Sequence, residues 1–181
     1  MEDRVLKSLS LDCVASYCEG FLSEEEADEL ATALKENFDV NNRDVLLADG
    51  SVIQSGTGSY LFAEKDLLGE ESFPKLWGGR SAWTEGLSGV KARIEALTGA
   101  EYHVARAIYY EDGGDEMAFH SDLPAYGPTD KIASLSLGAE RVFQMRKIDD
   151  HDEILSLRLR HGSLLFMGPQ CQQRYEHGIP L

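Results

Sequence analysis

The stretch Glu153 to Gly168, EILSLRLRHGSLLFMG, decides the fold class. Leu155, Leu157 and Leu159 alternate with Ser156, Arg158 and Arg160. That two-residue period belongs to a strand with one buried face. His161-Gly162 predicts a turn, after which the apolar run resumes. Working outward, HVARAIYYEDG (103–113), KIASLSLGAERVFQMRK (131–147) and QQRYEHGIPL (172–181) read in the same way, as strands parted by turns. No long helical pattern separates them, which favours antiparallel pairing over a crossover-linked parallel sheet.

Upstream the period changes. Ser23 followed by Glu26 has the spacing of a capping box, and acidic residues fill the first turn of the helix it would open. Leu30, Leu34 and Phe38 then give that helix an apolar stripe. Residues 45–63 predict short strands, with Asp49-Gly50 as a hairpin turn. Residues 64–80 read as irregular. A second helix is predicted from about Thr84 to Thr98, with Leu87, Val90, Ile94 and Leu97 on one face and Gly99 at the stop. The fold class is therefore α+β and mainly β: two N-terminal helices supporting a C-terminal β-sandwich or barrel. No internal repeat, low-complexity tract or linker breaks the chain, and its length suits one domain.

Composition narrows the function. The 181 residues are 43% hydrophobic and 27% charged, in the range of globular proteins. No apolar run approaches a membrane span, and the N-terminal MEDRVLKSLSLD lacks a leader's apolar centre. A cytoplasmic protein, nuclear in a eukaryote, with no membrane partner and a monomeric state is the expectation. Cys13, Cys18 and Cys171 are too few for a disulfide framework and are expected as reduced thiols. The net charge of −15 argues against strong nonspecific binding to nucleic acid, although Arg141, Arg146, Lys147, Arg158 and Arg160 concentrate positive charge in the C-terminal third.

The chemistry-bearing residues sit in FHSDLP (119–124). His120 and Asp122 alternate on an extended segment, so both face the same way. Read alone, the pair is either half of a metal site or a polar strand end. His177, in the last predicted strand, is either a third ligand or a core histidine satisfied by a carbonyl. Together, two imidazoles and a carboxylate on a β-scaffold are the ligand set of the facial triad in non-haem Fe(II) oxygenases, which leaves three coordination positions open. His151 in DDHDE is expected at the surface, and His161 is a weaker ligand candidate.

Four blocks in order, IYYEDGGDEMAFHSD, IASLSLGAERVFQMR, LRLRHGSLLFMG and QQRYEHGIP, resemble the AlkB family of Fe(II)- and 2-oxoglutarate-dependent dioxygenases. The resemblance covers about residues 100–180 and extends more faintly to GFLSEEEADEL. It implies a single AlkB-like dioxygenase domain over 1–181, with helices and a lid in about 1–100 and a double-stranded β-helix, or jelly roll, in about 101–181. It implies iron held by His120, Asp122 and His177, and 2-oxoglutarate hydrogen-bonded by Tyr110. Where the family commonly has an asparagine, two residues before that tyrosine, this chain has Ile108. The family usually continues past the second histidine into an R-x-N-x-T-x-R strand that grips the cosubstrate carboxylate, whereas this sequence ends at Leu181, so that either the chain is truncated or that strand is absent. Arg146 and Arg174 are the cations that would stand in, with structural pairing or substrate contact as the competing role of Arg141 and Arg146. The implied reaction is oxidative demethylation of N-alkylated bases in DNA or RNA, making alkylated nucleic acid the partner. Tyr60, Phe62, Trp77 and Trp83 are candidates for a base-holding lid, each with core packing as the competing reading. The alternatives are the same chemistry on a protein or small molecule, which suits the acidity better, and a binding module of the same fold without catalysis.

Overall fold

A computed structural model describes residues 4–181; Met1–Asp3, the start of the stretch read above for a leader, lie outside the described residues. The first elements in chain order are β1 (Lys7–Ser8), β2 (Ala15–Cys18), α1 (Glu24–Asn37), β3 (Asp44–Leu46), β4 (Val52–Gln54), β5 (Gly58–Ala63), α2 (Lys65–Gly69), β6 (Arg80–Ala82) and α3 (Glu85–Thr98). They continue as β7 (Val104–Tyr109), β8 (Met117–His120), β9 (Ile132–Leu135), β10 (Arg141–Lys147), β11 (Ile154–Leu159), β12 (Leu164–Met167), α4 (Cys171–Arg174) and β13 (Tyr175–Ile179). The protein is mainly β with few helices.

Both expected helices form, for the expected reasons. At α1 the Ser23 amide donates to Glu26 Oε2 at 2.8 Å and the Glu26 amide donates to Ser23 Oγ at 3.2 Å, a reciprocal capping box. At α3 the Leu87 amide donates to Thr84 Oγ1, and the helix stops at Gly99, whose φ of 67° is left-handed and cheap only for glycine. Residues 64–80 are less irregular than expected. They hold α2, and Arg80 begins β6, a short strand running parallel to β5 through Leu61↔Arg80. Three residues are too few to show a period. The N-terminal strands β1 and β2 also escape a reading by period, because β2 is defined by its pairing with β12, Leu164↔Cys18 to Met167↔Ala15.

The chain packs as two compact units. One comprises the described part of Met1–Ala31 with Ala118–Pro180, the other Thr32–Met117 with Leu181. The first holds two four-stranded sheets, ordered β1-β2-β12-β9 and β11-β10-β13-β8. Its registered pairs β10–β11, β10–β13, β12–β2 and β12–β9 are antiparallel. One core cluster draws on both sheets: Ala15, Leu165 and Met167 from the first, and Phe143, Met145, Leu159 and Tyr175 from the second. Leu165, Tyr175 and Met145 are at most 2% exposed, so each contributes about 1.5–3 kcal/mol by leaving water. That cluster sets the strand faces, and thereby the face on which His177 lies. The second unit holds the β3–β4 hairpin, turned at Gly50 (φ 83°), and a three-stranded sheet, β6-β5-β7.

Candidate metal centre

β13 and β8 are neighbours in one sheet, and the site is built across them. Along β13 the side chains of Tyr175, His177 and Ile179 share the core face, since positions two apart point the same way. Met145 of β10 stands opposite His177 in register, and the Phe143 ring stacks on the imidazole at 5.4 Å and 23°. His120 ends β8 and Asp122 stands two residues beyond it. The result is one group: His120, Asp122 and His177 each offer a ligand atom, all within 4.8 Å of one another. The His120 and His177 ring centroids are 4.5 Å apart. Asp122 lies between them, with Oδ1 3.6 Å from His120 Nε2 and Oδ2 3.4 Å from His177 Nε2. Among the described residues this is the one cluster of three or more such side chains with metal-holding spacing.

The donors are prepared for a cation. His120 Nδ1 lies 2.8 Å from the Ala118 carbonyl, which requires a proton on Nδ1 and leaves the Nε2 lone pair turned toward Asp122. His177 is 7% exposed, and burial lowers its pKa from 6.5 to about 4; the positive field of His120 adds to this and Asp122 opposes it. A neutral imidazole is the form that ligates. Asp122 is oriented through its backbone, because its amide donates to Gln172 Oε1 at 2.8 Å and Thr129 Oγ1 donates to its carbonyl at 3.2 Å. Donors about 2.1 Å from an ion and at right angles to one another are about 3 Å apart. Separations of 3.4 and 3.6 Å fit that arrangement after a small inward movement. Two nitrogens and one oxygen on one side suit Fe(II) and leave the other side for small ligands.

The other sequence-derived residues fall elsewhere. Arg146 stands opposite Glu176, on the strand face turned away from His177; it donates to Glu176 Oε2 at 2.5 Å and lies 4.0 Å over the Phe119 ring. Arg174 ends α4 and donates to the Asp12 carbonyl at 3.0 Å. Both guanidiniums therefore already hold protein partners. Tyr110 follows β7 in the second unit, and Ile108 on β7 is 40% exposed. Among the lid candidates, Phe62 and Trp77 are buried. Phe62 packs edge-on to Phe38, and Trp77 lies 3.7 Å under Arg106, so core packing describes these two. Tyr60 and Trp83 are half-buried. His151 is exposed, while His161 accepts from the Gly138 amide and faces Asp28 at 3.2 Å. Gln172 and Phe143, which hold the triad in place, carried no signal in the sequence. A glutamine five residues before a histidine means nothing until α4 turns it toward Asp122.

Comparison with known proteins agrees with this geometry. A family model described as the 2OG-Fe(II) oxygenase superfamily matches residues 14–181. Over 107 residues the chain is 36% identical to the alpha-ketoglutarate-dependent dioxygenase alkB homolog 3 of Rattus norvegicus, a match covering 54% of this chain and 36% of that protein. Over another 107-residue match it is 33% identical to the DNA oxidative demethylase ALKBH2 of Mus musculus, covering 55% of this chain and 45% of that one. The chain thus spans less than half the length of these curated relatives. The solved structure of OsALKBH1 superposes with a TM-score of 0.64 at 14% identity, covering 94% of this chain and 87% of that chain, a likeness of fold. No helix among the described residues is long and apolar enough to cross a membrane.

Proposed function

The chain belongs to the 2OG-Fe(II) oxygenase superfamily, and from that premise we propose that it is an Fe(II)- and 2-oxoglutarate-dependent dioxygenase that removes alkyl groups from the nitrogens of nucleobases in DNA or RNA. The observation that carries the proposal is the triad His120, Asp122 and His177, with ligand atoms within 4.8 Å on adjoining strands. The two four-stranded sheets that share its core are read as the halves of a double-stranded β-helix, and 14–181 as one dioxygenase domain. The substrate class rests on the relatives, one of which is named a DNA oxidative demethylase.

His120 Nε2, His177 Nε2 and one Asp122 oxygen would hold the ferrous ion. When bound, the ion supplies the activation of dioxygen that couples decarboxylation of 2-oxoglutarate to oxidation of a C–H bond. In balance, an N-methyl group, dioxygen and 2-oxoglutarate give an N-hydroxymethyl group, succinate and carbon dioxide; the hydroxymethyl group then leaves as formaldehyde. The protein's share is positioning. The Ala118 carbonyl keeps the His120 proton on Nδ1, Gln172 holds the backbone of Asp122, and Phe143 covers the His177 ring. Arg174 is carried as the cosubstrate cation, which requires it to leave the Asp12 carbonyl, and Arg146 can join it only by giving up Glu176.

The test is formaldehyde release and succinate formation on N-methylated single-stranded DNA, RNA and free nucleosides across a salt series. Turnover on a polynucleotide that weakens with salt is expected. Turnover confined to a small molecule supports the second reading, which the net charge of −15 favours. Absence of 2-oxoglutarate binding at millimolar concentration by iron-loaded protein supports a binding module.

A further inference from the structure

Cys13 and Cys171 are far apart in sequence and adjacent in the first unit. The Val14 amide donates to the Pro169 carbonyl at 3.3 Å and the Gly168 amide to the Val14 carbonyl at 2.6 Å, so the segment before β2 is sewn to the segment before α4. The Cys171 thiol donates to the Val14 carbonyl at 3.3 Å, and Cys13 packs against the core cluster that contains Cys171. Cys171 is 1% exposed, whereas Cys13 is half-buried and within reach of small solutes. The function proposed above uses neither.

We propose that Cys13 and Cys171 form a reversibly oxidised dithiol, a modification site whose closure to a disulfide is felt at the metal triad through α4. The chemistry assigns separate roles. The neighbouring Cys171 thiol holds the Cys13 thiol below its ordinary pKa, and nearby Arg174 adds to this against partial burial and Asp12. The same neighbour, with burial, pushes Cys171 up. The thiolate therefore forms on the more accessible sulfur, as an attacking cysteine requires. With hydrogen peroxide as oxidant, the Cys13 sulfur bonds to one peroxide oxygen and the O–O bond breaks. The released oxygen leaves as water and Cys13 becomes a sulfenic acid. The Cys171 sulfur then bonds to the Cys13 sulfur, the S–O bond breaks, and the hydroxyl leaves with the Cys171 proton as a second water. Two thiols and one peroxide become one disulfide and two waters, and a small dithiol reverses the change.

The link to the triad is short. Closure fixes the two sulfurs about 2.05 Å apart and takes the Cys171 thiol away from the Val14 carbonyl. Cys171 is the first residue of α4, the next residue is the Gln172 that holds the Asp122 amide, and α4 runs directly into the strand bearing His177. A pull on Cys171 therefore acts on two of the three ligands at once. The dithiol stands without the functional reading; its effect on metal binding rests on it.

The experiment treats the metal-free full chain with hydrogen peroxide, alkylates the remaining thiols and maps the peptides without reduction. Mn(II) affinity is then measured by electron paramagnetic resonance, since Mn(II) prefers nitrogen and oxygen over thiols. A Cys13–Cys171 cross-linked peptide is expected in the wild type and in Cys18→Ser, and none in Cys13→Ser, whose fold is checked by circular dichroism. Mn(II) affinity should fall about tenfold on oxidation, recover with dithiothreitol, and be insensitive to peroxide in Cys13→Ser. Over-oxidised Cys13 without a cross-link, or a cross-link to Cys18, overturns the proposal. A correct cross-link with unchanged Mn(II) affinity overturns the coupling. Failure of the reduced protein to bind Mn(II) counts against the triad reading and leaves the dithiol result to be judged on the peptides.

Discussion

Replacing His177 by asparagine should flatten the acid limb of the stability profile of the metal-free protein. In the folded chain burial holds the His177 pKa at about 4, against 6.5 for the free side chain. Between those values the unfolded chain binds the proton and the folded chain does not, so acid favours unfolding. The contribution is fully present above pH 6.5 and is lost as the pH falls through about 4. At about 1.4 kcal/mol for each tenfold difference in proton affinity, the complete loss is about 3 kcal/mol, of which about 2.5 kcal/mol is gone by about pH 4.5. The His177 side chain is only 9% exposed, so solvent screening leaves most of this intact. The assay is urea unfolding of wild type and His177→Asn, in the presence of a chelator, at about pH 7 and about pH 4.5. The variant should lose about 2.5 kcal/mol less than the wild type between the two conditions, whatever its absolute stability, because the other titrating groups are common to both. Equal losses in the two proteins would refute the placement of a neutral, buried imidazole at this position.

Three further outcomes follow from the same geometry. His120→Ala and Asp122→Ala should each abolish iron binding and succinate formation while moving the unfolding midpoint little, because both side chains are a third or more exposed; turnover retained in either would remove the triad assignment. Gln172→Ala removes the acceptor for the Asp122 amide and should weaken metal affinity about tenfold or more, with a stability cost of about 1 kcal/mol; unchanged affinity, measured by metal titration, would show that α4 does not position the ligand. Arg146→Gln should cost no more than about 1 kcal/mol and leave 2-oxoglutarate affinity unchanged, because its guanidinium is paired with Glu176 on the face away from His177; a tenfold weaker cosubstrate in calorimetry would return Arg146 to the site.

Much of this protein was legible in residue order alone, wherever the determinant is local. Ser23 and Glu26 are three apart and cap α1 by themselves; Gly99 ends α3 because a left-handed residue is needed there; the alternation of Ile154–Leu159 marks one wet and one dry face. His120 and Asp122 share a direction because strand geometry gives every second residue the same face. The partnership with His177 was carried by likeness to a family, since no period links residues so far apart. Arg146 shows the limit from the other side: residue order left it open between a cosubstrate cation and a structural partner, and the register Arg146↔Glu176 pairs it with that glutamate. Local rules act through the geometry of a few bonds and so survive in the sequence. Pairing of β2 with β12, the seat of Gln172 beneath Asp122, and the meeting of Cys13 with Cys171 depend on which buried faces close on a common core, and that choice is made by packing across the whole unit.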